Sequence, residues 1–154
     1  MILARTVGKR IKINQLGTKD ERAKASRSVL AYMAAENSLN SYATQDLEEM
    51  IEGMKGVTED NKLLVYVDDV KFPRMYEIAP NEIGVPDTIR VVDYPIEYDS
   101  SDPATLVMAL DYMKENYEAE EYGLVMWSHG EGWTPGTTRY IGVDNNQNTT
   151  SNSG

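Results

Sequence analysis

The hydrophobic pattern contains three short apolar runs, and each run stops at polar residues. The runs span residues 28–34, 63–67 and 121–127. Apolar segments of this length, bounded by turn residues, are typical of strands that lie inside a sheet. The pattern therefore predicts three core strands.

Two other segments have helical spacing. After the first run, apolar residues recur every three or four positions, at Leu39, Ala43, Leu47, Met50 and Met54. This spacing predicts an amphipathic helix, and Gly53 and Gly56 mark its end. We assign Tyr42 to the same core-facing surface. Before the third run, Asp102 is a good N-cap residue, and Pro103 suits the first position of a second helix.

Residues 70–95 are punctuated by proline and glycine and contain two β-prone pieces, at 74–78 and 88–92. Their spacing suits a hairpin at the edge of a sheet. The whole order is strand, helix, strand, hairpin, helix, strand. This order predicts an α/β fold with a mainly parallel sheet.

Composition narrows the class of protein. A chain of 154 residues can hold one domain with a core, and its hydrophobic fraction of 41% is somewhat low for a globular chain. No apolar stretch approaches the roughly 20 residues that cross a bilayer, so we expect no membrane span. The start lacks a signal-peptide core, which predicts a cytosolic protein or a mature form. The chain has no cysteine, which rules out internal disulfides.

The net charge of -10 is unevenly distributed. Residues 1–27 contain eight basic and two acidic side chains, whereas the remainder contains seven basic and 23 acidic ones. An acidic body argues against nucleic acid as its partner. The basic leader is interpreted as a solvated extension or a strip that lies on the acidic body. A weaker alternative is an adaptor that binds nucleic acid or a surface through this leader.

The third apolar run leads into the most informative stretch. It ends at Ser128 and at His129, the only histidine, and Gly130 follows. A parallel strand delivers the residue after it to the carboxyl edge of the sheet, where ligands bind. His129 is a candidate acid/base, and Gly130 could bring its backbone N–H close to a substrate oxygen. The simpler alternative is a histidine that only caps the strand end. Ser128 and His129 point to opposite faces, which argues against a self-contained Ser–His enzyme.

Polar residues also follow the first two runs. Glu36 and Asn37 come after the first, and Asp68 and Asp69 end the second. Acidic groups at this edge would suit a basic substrate side chain, although strand-end turns are commonly rich in Asp and Asn. Trp133 either walls a substrate cleft or seals its loop against the core.

Metal binding has little support in the sequence. Asp144, Asn146 and Asn148 have the first ligand spacings of a calcium loop, but Thr149 occupies the position that requires glycine. One histidine without cysteine does not make a transition-metal site. We therefore predict no cofactor from the residues themselves.

Three ordered elements resemble one known family. Residues 127–133, Trp-Ser-His-Gly-Glu-Gly-Trp, resemble the W-x-H-G-x-G-W element of clostripain-like cysteine peptidases, in the caspase–gingipain clan. Residues 29–39 resemble the first strand and turn of that family, and residues 46–50 resemble the helix after them. The resemblance runs from about residue 27 to residue 144.

The resemblance implies a caspase-like three-layer sandwich, of which this chain supplies the N-terminal part. Residues 1–26 are then a basic extension, 27–144 belong to the peptidase domain, and 145–154 form a flexible polar tail or activation-loop segment. The family nucleophile is a cysteine, so the resemblance implies that it lies on a second, heavy chain. If so, residues 121–127 should expose an unpaired apolar strand, which a self-sufficient module would not do.

The function implied by the resemblance is peptide hydrolysis through a thioester, after Arg or Lys. His129 would be the general acid/base and Gly130 the oxyanion donor. Trp133, Asn37 and Asp68 would contact protein or peptide substrates. The family also implies a secreted or cell-envelope bacterial protein and leaves calcium open as a cofactor. The competing hypothesis is a non-catalytic caspase-like binding or regulatory domain.

Overall fold

A computed structural model describes residues 24–129. It contains five strands and two helices, which are, in chain order, β1 (Ala25–Ala34), α1 (Asn40–Gly53), β2 (Asn61–Asp68), β3 (Arg74–Pro80), β4 (Pro86–Asp93), α2 (Pro103–Asn116) and β5 (Ala119–Trp127). Every element predicted within the described range is present. In this part of the chain neither helix is long and apolar enough to cross a membrane.

The strands form one sheet in the order β4-β3-β2-β1-β5. Strand β1 lies between β2 and β5 and is parallel to both, and β3 is antiparallel to both of its neighbours. Four strands therefore point in the same direction, and β3 alone is reversed. The predicted α/β fold with a mainly parallel sheet is confirmed, and so is the hairpin at one edge.

The two faces of the sheet carry separate apolar layers because successive strand residues point to opposite sides. On one face, Leu30, Leu64 and Tyr66 pack with Ala109 and Met113 of α2. On the other face the layer contains α1 and the alternate residues of the same strands, namely Ala31, Met33, Ala43, Val65 and Val67. Each fully buried side chain of Val or Leu size contributes roughly 1.5–3 kcal/mol. One helix on each face makes the three-layer sandwich.

The predicted helix boundaries are confirmed. The side chain of Asp102 accepts a hydrogen bond from the Ala104 N–H at 2.8 Å, and Pro103 occupies the first turn of α2. Gly53 is the last residue of α1, and Gly56 adopts a φ of 77° in the turn beyond it. A left-handed residue at this position is tolerated because glycine has no Cβ.

Two predictions about burial are wrong. Tyr42 is 56% exposed, because it precedes Ala43 and points about 100° away from the buried stripe. The apolar pattern predicted a core strand at 121–127, whereas the two-chain hypothesis predicted an exposed apolar strand there. The side chains of Tyr122, Leu124, Val125 and Met126 are 38–49% exposed, as the second expectation requires. Within residues 24–129, β5 pairs with β1 alone. Its composition is that of a strand with two neighbours, of which the described residues supply one.

Candidate active site

Three strands bring their carboxyl ends to the same edge of the sheet. The parallel register pairs Ala34 with Asp68 and Met33 with Trp127. The residues that follow these strands therefore meet at this edge, as open α/β sheets require. This edge brings together the region of Asn37, the end of β2 at Asp68, and His129.

The imidazole of His129 lies against the turn after β1. The Oγ of Ser38 is 2.7 Å from His129 Nε2. Ser38 is exposed and His129 is half-buried, so the ring lies at the surface. A histidine held at a strand end but open on one side can exchange protons with a bound group. The structure is consistent with the acid/base role of His129, which stays a prediction.

The side chain of Asn37 is occupied by the turn itself. Its Nδ2 donates to the Ala34 carbonyl oxygen at 2.8 Å, and its Oδ1 accepts from the Leu39 N–H at 2.9 Å. Both ends of the amide thus hold the turn in shape. Asn37 was predicted to contact substrate, and its hydrogen bonds favour a role in bracing the site.

Two further contacts fix the end of β5. The Trp127 indole Nε1–H donates to Asp46 Oδ2 of α1 at 2.5 Å, and the Ser128 hydroxyl donates to the Ala34 carbonyl oxygen at 2.8 Å. Ser128 therefore points back to β1, while His129 contacts Ser38. This divergence agrees with the expectation that Ser128 does not act on His129.

Asp68 belongs to a cluster of three carboxylates. One carboxylate oxygen from each of Glu36, Asp68 and Glu97 lies within 4.8 Å of the other two. Asp68 is fully buried, and the two glutamates are half-buried. Burial raises the pKa of the nearby Tyr66 hydroxyl well above its usual range, and the Asp68 charge adds to the rise. A cationic side chain or a metal ion would suit these oxygens.

Asp69 has a structural partner. Its carboxylate binds Arg74 through two hydrogen bonds, at 2.8 and 2.6 Å, across the loop between β2 and β3. Burial alone would raise the pKa of Asp69, but hydrogen bonds from Arg74 and the Lys71 N–H hold the pKa below its ordinary value. The hydrogen bond to Asp69 raises the pKa of Arg74. Asp69 thus closes a loop, and both oxygens of its carboxylate face Arg74.

Gly130 and Trp133 lie outside the described residues, as do Asp144, Asn146 and Asn148 of the calcium-like spacing. Sequence reasoning missed Ser38, Asp46 and Glu97. Ser38 was within reach, because it follows Asn37 in a turn at the expected edge. Asp46 looked like an ordinary polar helix residue. Glu97 lies 29 residues after Asp68 in an irregular segment, where no pattern announces a neighbour.

The fold and the site define an α/β sandwich with a histidine at the carboxyl edge of its sheet. The sequence model of the Clostripain family, a family of peptidases, matches residues 31–152. The chain belongs to this family of cysteine proteases, so the resemblance noted in the sequence is confirmed.

Individual relatives agree. Clostripain of Hathewaya histolytica is 29% identical in an alignment of length 142 that covers 78% of this chain and 26% of that protein. Among solved structures, the B. fragilis cysteine protease has a TM-score of 0.67 and 41% identity, over 73% of this chain and 96% of that chain. A secreted C11 cysteine protease from Bacteroides thetaiotaomicron, in complex with an irreversible peptide inhibitor, has a TM-score of 0.66 and 37% identity, over 79% of this chain and 34% of that chain.

A third solved structure is similar to the same extent. It is an inactive zymogen C11 protease from Parabacteroides distasonis, with a TM-score of 0.66 and 33% identity, over 74% of this chain and 33% of that chain. The chain thus spans 26% of the curated relative and about a third of two of these structures. In these three comparisons it corresponds to one part of the relative's length.

Proposed function

We propose that this chain is the light-chain part of a cysteine endopeptidase, with His129 as its general acid/base. The nucleophilic cysteine lies on a second, heavy chain that docks beside β5. The proposal rests on the fact that an exposed apolar edge strand and the only histidine lie next to each other. The edge strand β5 leaves apolar side chains exposed, and His129 follows that strand directly. A further strand that runs parallel to β5 would end next to the imidazole.

The reaction follows from these positions. His129 takes the proton of the cysteine thiol, and the thiolate attacks the carbonyl carbon of the scissile peptide bond. The tetrahedral oxyanion accepts a hydrogen bond from the Gly130 N–H. As the C–N bond breaks, His129 gives its proton to the leaving amine and a thioester remains. Water then attacks the thioester while His129 accepts a proton, and the acid and the free thiol are released.

The preferred substrate is a peptide with Arg or Lys before the cleaved bond. Glu36, Asp68 and Glu97 support this preference, since their clustered carboxylates would attract a cation at the same edge as His129. The acidic charge of the chain outside its first 27 residues acts in the same direction. Calcium is the second cation that these oxygens would suit, and we propose it only as a competitor for the cluster. Trp133 would contact the substrate from the loop beyond His129.

The division into two chains is supported by relatives. The matched region covers 96% of the B. fragilis chain, so a chain of about this extent occurs in a solved protease structure. One similar protease is a zymogen, and another is secreted. We propose the same for this protein: activation by cleavage beyond the described residues, in a secreted or cell-envelope enzyme.

The test is mass spectrometry of the purified native protein after treatment with an irreversible label for Arg/Lys-directed cysteine peptidases. We expect a second polypeptide that co-purifies and carries the label on a cysteine. His129→Ala should abolish labelling and peptide hydrolysis while the two chains still associate. A lone chain without a labelled partner would refute the proposal and favour the non-catalytic binding domain.

A further inference from the structure

The hydroxyl of Ser38 holds one specific nitrogen of the only histidine in the chain. The 2.7 Å between Ser38 Oγ and His129 Nε2 is a short, well-formed hydrogen-bond distance. The two ring nitrogens of a histidine are distinct, and the hydrogen bond made by one determines the proton state of the other. With Nε2 engaged by Ser38, Nδ1 is the nitrogen left for a proton partner.

Ser38 is itself held in place from both sides. Asn37 Nδ2 donates to the Ala34 carbonyl oxygen, and Asn37 Oδ1 accepts from the Leu39 N–H, so hydrogen bonds fix the turn before and after Ser38. Ser128 donates to the same Ala34 carbonyl. The turn that carries Ser38 and the strand end that carries His129 are therefore tied to one atom. This arrangement keeps the contact between hydroxyl and imidazole in place without a substrate.

We propose that Ser38 is a positioning residue that orients His129 for catalysis. His129 donates its Nε2–H to Ser38 Oγ, which leaves Nδ1 unprotonated and facing the incoming thiol. After Nδ1 takes the thiol proton, both nitrogens carry protons, and the Ser38 oxygen continues to accept from Nε2. The catalytic part of this inference rests on the proposed function, but the contact itself does not.

The contact is tested on the 154-residue chain labelled with ¹⁵N-histidine, because one histidine gives one imidazole signal set. In the neutral imidazole we expect a protonated Nε2 whose N–H exchanges slowly with water. Ser38→Thr should keep this signal, and Ser38→Ala should speed its exchange about tenfold, the loss expected for one hydrogen bond. Ser26→Ala is the matched control. Ser26 is an exposed serine at the amino end of β1, far from His129, and it donates to Asp60. Its loss should therefore leave the imidazole signals unchanged.

The catalytic part is tested on the assembled protease. Ser38→Ala should lower kcat about tenfold with little change in KM, and Ser38→Thr should restore most of the loss. Imidazole spectra that are identical in all variants would overturn the Ser38 proposal even in an active enzyme. Altered spectra with an unchanged kcat would overturn its catalytic part. A wild-type assembly that hydrolyses no peptide would instead overturn the proposed function, while altered spectra would still support the contact.

Discussion

The two edges of the sheet end in different ways. The outer edge of β4 begins with Pro86 and carries Asp87, Arg90 and Asp93, and an ion pair of 3.1 Å joins Arg90 to Asp93. Proline removes a hydrogen-bond donor, and charges resist pairing with another strand. The edge at β5 has the opposite character. From residue 122 to 127 it has no charge, and four large side chains are exposed there.

The β4 edge is a boundary of the sheet, whereas the β5 edge is an interface. The β4 edge has the features that proteins use to prevent further strand pairing, whereas the β5 edge has the features of a strand that pairs with another segment. His129 follows the β5 edge directly. We infer that the chemistry of this protein is placed where two polypeptide segments meet, so that neither is active without the other.

A charge on β5 should break the interface with the largest effect. Val125→Lys replaces a side chain that is 49% exposed, so the isolated chain should change in stability by at most about 0.5 kcal/mol. In the complex the same lysine loses its water without gaining a partner, in addition to the lost apolar burial. We expect binding of the heavy chain to weaken on the order of a thousandfold, measured by calorimetry.

The matched control lies at the other end of the sheet. Ile83 is 82% exposed in the turn between β3 and β4, and Ile83→Lys should leave binding unchanged. If both substitutions weaken binding equally, or if neither does, β5 is not the interface and the contrast between the two edges has no functional meaning.

The loop between β2 and β3, on the β4 side of the sheet, is closed by the Asp69–Arg74 ion pair. Both side chains are largely buried, with 14% and 10% exposure. Asp69→Asn leaves the Arg74 charge without its partner, and we expect a loss of about 2–3 kcal/mol in the free energy of unfolding, measured in urea. The control is Glu52→Gln, which breaks an exposed pair with Lys55 and should cost less than about 0.5 kcal/mol. Equal losses would contradict the assignment.

The same pair predicts a dependence on pH. The pKa of Asp69 is lower in the folded protein than in the unfolded chain, so its contribution to stability is complete above an unfolded pKa of about 4. That contribution disappears as the pH falls through the depressed pKa of the folded state. Unfolding experiments from neutral to acidic pH should show this loss in the wild-type chain and not in Asp69→Asn. Parallel pH profiles would disprove the linkage.

Much of this fold could be predicted because its signals are local. The apolar run at residues 63–67 and the Asp102-Pro103 start of α2 each carry their information within a few residues. The apolar run of β5 by itself predicts burial, and only the resemblance to half of a peptidase domain predicted that its side chains are exposed. Its apolar composition is correct for a strand with two neighbours, and the second neighbour is not among the described residues.

The candidate site shows the same limit. His129 could be found because it is the only histidine and follows an apolar run. Two features depend on the relative placement of elements that are far apart in the chain. They are the contact between Ser38 and His129, which are 91 residues apart, and the cluster of Glu97 with Asp68. No periodicity encodes such a distance, so the partners of a predicted residue are harder to foresee than the residue itself.

The smallest expected effect concerns the attachment of β5 to α1. Trp127 donates to Asp46 at 2.5 Å, and this contact holds the strand just before His129. Asp46→Ala should cost about 1 kcal/mol of stability, because one hydrogen bond to a half-buried carboxylate is lost. It should also shift the imidazole signals of His129, since the end of the strand is no longer held. Glu49→Ala, on the exposed side of the same helix, should do neither. If Asp46→Ala destabilises the chain but leaves the His129 signals in place, β5 is positioned by its pairing with β1 alone, and the open edge needs no support from α1 to present the histidine.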